Sequence, residues 1–362
     1  MSSKYGKTLE ISVFGQSHGK AIGVNIDGLP SGEEIDIEKL YEFMGRRAPG
    51  KSDFATKRSE ADLPVFLSGI ENGKTCGFPI CAIIENKDTR STDYAGLSKT
   101  PRPSHADYTA LLRYGESVDL RGGGHFSGRL TAPLCIAGGI AKQILERRGI
   151  YIGAQILSVG KENGEKFPLY PSKELFDETA KKELPTVNDE CGKKMAEVIR
   201  LAAKDADSVG AKIECAIIGL PAGIGSPMFD GIENRIAQAI FGIPAVKGIE
   251  FGAGFESAEM LGSENNDPFT VKDGVIVTET NNCGGILGGI SNGMPIVFTT
   301  AFKPTPSIGK EQRTVDVKTM ENTTVTVKGR HDPCIAVRAV PVVEAVAATA
   351  ILDMLLEESE VI

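Results

Sequence analysis

Leu9, Ile11 and Val13 alternate with polar residues, and this period of two predicts a strand over residues 8–14. Gly15-Gln16-Ser17-His18-Gly19 closes it as a compact turn, and a second strand is expected over 21–26. The spacing becomes helical over 36–46, followed by a charged, Gly/Pro-punctuated loop over 47–62. Short strands are predicted over 65–68, 73–76 and 79–84, and a Pro-bounded loop over 100–105 enters a helix over 106–113. The apolar segments 132–148 and 340–356 read as helices that are hydrophobic on most sides, and such helices belong inside a molecule. Between them, strands are predicted over 151–159, 211–220 and 295–302, and helices over 191–205 and 229–241. The loosely patterned stretch 160–190 reads as a surface insertion and 262–273 as a mobile polar segment. No linker divides the chain, so 1–362 reads as one domain. In each half a basic, His-bearing loop (121–129 and 330–338) feeds an apolar helix, which suggests a remote internal duplication.

Composition narrows the classes. Asp and Glu outnumber Lys and Arg by 48 to 40, a net charge of −8, which disfavours a nucleic-acid binder with a broad basic face. Glycine is abundant at 42 residues, as expected where turns are tight and backbones approach closely. The seven cysteines are odd in number and never spaced as CxxC, which points to free thiols and a reducing compartment. No uninterrupted run of about 20 apolar residues appears, so no membrane span is expected, and the start of the chain has no signal-peptide pattern. A cytoplasmic location follows as an expectation.

Common motifs fail. Gly15 to Lys20 is one residue short of a phosphate loop and lacks its hydroxyl, since Ala21 follows Lys20. Ser127 stands where a dinucleotide fingerprint starting at Gly122 needs its third glycine. His18, His105, His125 and His331 form no metal-ligand spacing, so no metal is expected. All four lie in Gly/Pro/Arg-rich loops rather than on apolar faces, which favours a shared site over structural roles. Arg46, Arg47, Arg58, Arg102, Arg121, Arg129, Arg330 and Arg338 lie in or beside these loops. Guanidinium groups grip phosphate and carboxylate two oxygens at a time, so the residues alone indicate an enzyme for a small polyanion.

The loops also carry a resemblance. Gly15-Gln16-Ser17-His18-Gly19, Arg46-Arg47-Ala48-Pro49-Gly50, Arg102-Pro103-Ser104-His105-Ala106-Asp107 and Arg121-Gly122-Gly123-Gly124 are followed by the glycine-dense turn 284–289. Lys303-Pro304-Thr305-Pro306-Ser307 and Gly329-Arg330-His331-Asp332-Pro333-Cys334 complete the series. In this order and spacing the chain resembles the chorismate synthase family from about Tyr5 to Leu356.

The resemblance implies an α+β fold, a β-α-β sandwich with central helices packed between two antiparallel sheets. It implies a carbon–oxygen lyase of the shikimate pathway to aromatic amino acids. That enzyme converts 5-enolpyruvylshikimate 3-phosphate to chorismate and phosphate by anti 1,4-elimination, using reduced FMN without net redox change, as a homotetramer. By position, His18 matches the acid for the departing phosphate, His105 a histidine near flavin N1, and Asp332 a proton relay near flavin N5. Arg46, Arg102, Ser127, Arg129 and Arg330 match residues around substrate and flavin, and Arg338 is a helper on context. His125, Phe126, Ser127, Pro244, Ala245, Gly288, Lys303, Pro304, Thr305, Pro306, Ser307 and Arg330 fall in flavin-binding segments. Gln16 and His125 replace the family's usual Glu and Arg. Asp53 and Ser59 stand at positions that are basic and associated with NADPH in many members, so reduced flavin is expected from a separate source. Glu60 and Asp62 read as carboxylates that hold arginines in place.

Overall fold

The alternating segments build two antiparallel sheets. The computed structural model describes residues 3–48, 50, 62–86, 99–327 and 332–359. Strands β1 (Lys4–Tyr5), β2 (Glu10–Gly15), β3 (Ala21–Asp27), β4 (Val65–Ser68) and β5 (Ile80–Glu85) pair in the order β1-β2-β3-β5-β4. Ile22, Val24 and Ile26 lie opposite Ile84, Ala82 and Ile80, giving one continuous buried face. The second sheet contains β6 (Tyr151–Val159), β7 (Glu162–Asn163), β8 (Ala211–Ile218), β9 (Val246–Phe251) and β10 (Ile296–Phe302), in the order β9-β10-β8-β6-β7.

The helices are α1 (Ile37–Arg47), α2 (Asp107–Tyr114), α3 (Thr131–Arg147), α4 (Lys173–Lys181), α5 (Asp189–Lys204), α6 (Ile232–Ile240) and α7 (Ala336–Ser359). Asp36 caps α1 by accepting from the Lys39 amide. Helix α3 packs on β3 and β5, α7 packs on β6 and β8, and the two helices pack on each other. This is the expected sandwich. The two sheets reach five strands by different orders. The loop before α3 and the loop before α7 nevertheless meet at one cavity, described below.

Helix α7 bears on the expectation that no segment spans a membrane. Its span Ala336–Glu358 has a window of mean hydropathy 1.9, long and apolar enough by composition to cross a membrane. Protein surrounds it instead, and its apolarity is that of a core helix. Its few polar groups are paired inside. Asp353 accepts from Arg235 Nη2 at 2.5 Å and from the Leu9 amide at 2.8 Å.

Segment 160–190, expected as a surface insertion, packs on the second sheet as a further layer. It contains α4, and Phe167 and Phe176 meet edge-on with ring centroids 5.3 Å apart over the buried Ala216. Gln155 and Glu214 reach out from the sheet to fasten it. Gln155 Nε2 donates to the Glu165 carbonyl at 2.9 Å, and the Phe167 amide donates to Glu214 Oε2 at 2.8 Å. Contacts from the outer face of the sheet beneath help to order this segment, and a local sequence pattern does not register them. Segment 262–273 holds the short helix Gly262–Asn265 and the first strand of a hairpin, Phe269–Lys272 with Val275–Thr278. A further hairpin, Gln312–Asp316 with Glu321–Val325, and strand β9 were also not legible from alternation.

A buried ion pair ties α1 to α7. Arg46 Nη1 and Nη2 donate to the two oxygens of Glu344 at 2.8 and 2.6 Å, and Lys142 Nζ donates to Oε2 at 2.5 Å. Burial pushes the Glu344 carboxyl up, but the charges of Arg46 and Lys142 outweigh it and bring it down to about 2. That lies below the unfolded value near 4.3, so the stabilisation is complete above about pH 4.3 and is lost as pH falls through about 2. Arg46→Ala is expected to destabilise the fold by about 3–5 kcal/mol in urea denaturation, because it leaves a buried carboxylate with one partner fewer. Glu344→Gln is expected to flatten the acid limb of stability between pH 5 and 2; an unchanged limb would rule out Glu344 as its source.

Candidate active site

Between the sheets, at the ends of α3 and α7, lies a cavity of about 820 Å³. Five of the stretches of chain that form its wall carry residues singled out in the sequence. The Pro-bounded loop gives Arg102 and His105, the glycine loop gives His125, Phe126, Ser127 and Arg129, and the loop after α6 gives Pro244 and Ala245. The segment after β10 gives Lys303, Thr305, Pro306 and Ser307, and the approach to α7 gives Asp332 and Arg338.

The glycine loop is the hinge of this arrangement. Gly122, Gly123 and Gly124 have φ of 59°, 88° and 56°, in the left-handed region that favours glycine. They make room for histidines rather than only bending the chain. A Cβ on Gly122 would stand 2.1 Å from His18 Cε1, and one on Gly123 would stand 3.3 Å from His105 Nε2. The turn is therefore flanked by His18 on one side and His105 on the other. The Ser17 amide donates to the Gly124 carbonyl at 3.0 Å and locks the two loops together. His18 is buried behind Gly122 and is not itself a lining residue among those described.

Buried carboxylates set the arginines. Asp62 is shared between Arg47 Nη1 and Arg129 Nη1, as the sequence reading of this carboxylate expected. Burial pushes its carboxyl up, and the charges of Arg47 and Arg129 overcome this and hold it below the usual range. Arg47 also donates to Thr131 Oγ1 and to the Gly128 carbonyl, both at 3.0 Å, so it braces the glycine loop. Arg338 Nε donates to the Arg47 carbonyl at 3.0 Å and Nη1 to Asp332 Oδ2 at 2.7 Å. Thr305 Oγ1 donates to the Asp332 carbonyl at 3.1 Å, fixing the backbone of that residue. Lys303 Nζ donates to the Ser104 carbonyl, and burial lowers its pKa ahead of the neighbouring Lys247 charge.

Three further expected residues, Arg46, Gly288 and Pro304, lie outside the lining. Arg46 points to Glu344 in the interior and does not line the cavity; its neighbour Arg47 does. The spacing carried this signal: Leu40, Met44 and Arg47 are buried together on α1 at i, i+4 and i+7, and Arg46 lies about 100° round the helix from Arg47. Gly288 lies in the turn between Ile286–Leu287 and Ile290–Ser291, outside the lining, and Pro304 sits between lining residues without joining them. His125 lines the cavity, with Nδ1 at 2.8 Å from the Gly15 carbonyl, to which it donates, and Nε2 at 2.7 Å from Ser3 Oγ. Its ring is thus anchored by the protein on both sides. Arg330, with Arg58, His331, Asp53, Ser59 and Glu60, lies outside the described residues. Lys4, Tyr5, Gln238 and Lys247 also line the wall; no motif marked them, because they arrive from β1, α6 and β9.

A cation-rich, hydroxyl-bearing cavity with two histidines on one glycine turn and the Asp332 carboxylate among its lining can hold a small polyanion. A sequence profile of the chorismate synthase family matches residues 9–356. The chain is 49% identical over 352 residues to a chorismate synthase of Thermococcus kodakarensis, covering 97% of each. It is 46% identical to that of Lancefieldella parvula, covering 98% of this chain and 96% of the relative. A crystal structure of a chorismate synthase superposes with a TM-score of 0.76 at 29% identity, covering 98% of this chain and 93% of the other. The chain belongs to the chorismate synthase family, a family of lyases.

Gly122→Ala tests the glycine turn. A left-handed alanine costs about 1–2 kcal/mol, which the fold should tolerate, but the added methyl must displace the His18 ring. Turnover is expected to fall at least tenfold with the melting temperature only a few degrees lower. Gly262→Ala, which meets nothing within 4 Å, is the control and should leave both unchanged.

Proposed function

We propose that this enzyme forms chorismate and phosphate from 5-enolpyruvylshikimate 3-phosphate by anti 1,4-elimination, with reduced FMN required and not consumed. The observation that carries this reading is a cationic cavity with His105 on its wall and His18 buried behind Gly122, both packed on one glycine turn. The substrate's phosphate and carboxylates complement Arg102, Arg129, Arg338 and Lys303.

The residues present fit FMN. Ile11, Val13, Leu134, Phe302 and Ile335 offer an apolar wall to a planar ring, and Lys303 and Ser307 offer donors to a phosphate. The volume lies within the usual range for a cofactor site. When bound, reduced FMN supplies electron density as the C3–O bond breaks and assists loss of the C6 hydrogen without net redox change.

In this reading His18 protonates the leaving phosphate, and a nearby polyanion favours its charged form. Arg338 anchors Asp332 through Oδ2, and Asp332 relays the proton lost from C6. Arg102 and Arg129 orient the anionic groups. A homotetramer in the cytoplasm, supplied with reduced flavin from outside, belongs to the same reading. Phe269, Val271, Val275 and Ile276, exposed on one hairpin, support a surface covered on assembly, and the free cysteines support a reducing compartment.

Incubation with 5-enolpyruvylshikimate 3-phosphate and photoreduced FMN under anaerobic conditions should yield chorismate and phosphate in equal amounts, with many turnovers per flavin. Product capped at one per flavin would sink the cofactor role. No product would favour a flavin-binding scaffold or an enzyme for another enolpyruvyl phosphate. His18→Ala is expected to slow single-turnover phosphate release by roughly 10²–10⁴-fold with FMN affinity nearly intact. Asp332→Asn should reduce turnover more than substrate affinity. Near-normal single-turnover chemistry in either variant would remove that residue from its role.

A further inference from the structure

One residue of the 102–107 motif has no part in the reading above. Asp107, at the first position of α2, is completely buried, although its carboxylate lies one residue beyond a surface loop. It makes contacts on both oxygens. Oδ2 accepts from the Arg102 amide at 3.1 Å and from Arg102 Nε at 2.7 Å. Oδ1 accepts from Arg102 Nη2 at 2.8 Å and stands 2.6 Å from His105 Nδ1. Arg102 Nη1 is held in turn by Ser307 Oγ at 3.0 Å. Burial pushes the Asp107 carboxyl up, and hydrogen bonds from Arg102 and His105 overcome this to hold it well below the usual carboxylate range.

His105 Nδ1 has two neighbours that make opposite demands. Arg102 Nη2, at 3.0 Å, can only donate, and would need a lone pair on Nδ1. Asp107 Oδ1, at 2.6 Å, can only accept, and needs a proton there. A lone pair facing a carboxylate at 2.6 Å would be strongly repulsive, and Arg102 Nη2, which carries two hydrogens, keeps one of them on Asp107 Oδ1 in either tautomer of His105. The shorter, charge-assisted contact decides the tautomer.

We propose that Asp107 is the positioning residue for His105: it holds the proton on Nδ1, so that Nε2, the nitrogen beside Gly123 at the cavity wall, is the one that exchanges a proton or hydrogen bond with bound ligands. The inference deepens the proposed function, since it assigns which atom of His105 meets the ligand. Asp107 touches no ligand and acts only through His105 and Arg102.

Asp107→Asn separates this from mere packing. The two hydrogen bonds from Arg102 require the amide oxygen at the Oδ2 position. The amide NH₂ then faces His105 Nδ1 as a donor and moves the ring proton to Nε2, the wrong tautomer at unchanged shape. The full-length chain, labelled with ¹³C,¹⁵N-histidine, has only four histidines to resolve by solid-state NMR. The spectrum of His105→Gln assigns the His105 signals.

A proton on Nδ1 in the unaltered protein and none there in Asp107→Asn, with kcat reduced roughly tenfold or more, is the expected result. A lone pair on Nδ1 in the unaltered protein overturns the proposal even if the variant does not fold. So does an Nδ1 proton that persists in Asp107→Asn, or a kcat loss below tenfold. The tautomer is read without substrate or flavin, so its outcome is independent of whether the chemistry proposed above is correct.

Discussion

At Gly138 there is no room for a methyl group: a Cβ there would sit 2.3 Å from the Cα, Cβ and carbonyl oxygen of Ala345. Helices α3 and α7 therefore meet backbone against side-chain stub, and both are buried along nearly their whole length. This close approach fixes the distance between the two sheets that pack on their outer sides. It also brings the starts of the two helices to one place. The loop before α3 carries Ser127 and Arg129, and the loop before α7 carries Asp332, with Arg338 on the first turn. A site assembled from residues 200 positions apart depends on a contact between two small residues (about 1–3 kcal/mol of overpacking cost would follow from enlarging either).

Charge is distributed by the same logic. The chain is acidic overall, yet its cavity is lined with cations. Three buried carboxylates make this tolerable. Asp62 holds Arg47 and Arg129, Asp107 holds Arg102 and His105, and Glu344 holds Arg46 and Lys142. Each carboxylate is kept ionised by its partners, so the guanidinium groups stay in fixed orientations with little left to reorganise when an anion arrives. Two of these clusters face the cavity. The third lies behind it, and there Arg46 ties α1 to α7 instead of meeting a ligand.

Arginine placement shows where local reading stops. The double arginine at 46 and 47 gives two residues with equal claim on an anion, and a motif match assigned the wrong one to the wall. The helical face set by Leu40 and Met44 favours Arg47, but the partner that captures Arg46, Glu344, is 298 residues away. The glycine triplet is a similar case. Its backbone freedom was evident from composition, while the identity of what approaches it, two histidine rings, depended on loops from three regions of the chain.

The sequence by itself determined the elements whose pattern is local: the alternating strands of the first sheet, the two apolar helices, the glycine and histidine loops, and the family. These follow from periodicity and from residue types whose backbone preferences need no partner. The tertiary structure alone decided the ordered layer at 160–190, the two late hairpins and the division of arginines between cavity and core. It also decided which carboxylate holds which cation. Each of those depends on long-range contacts, where burial and a specific distant partner outweigh the weak preference of the local chain.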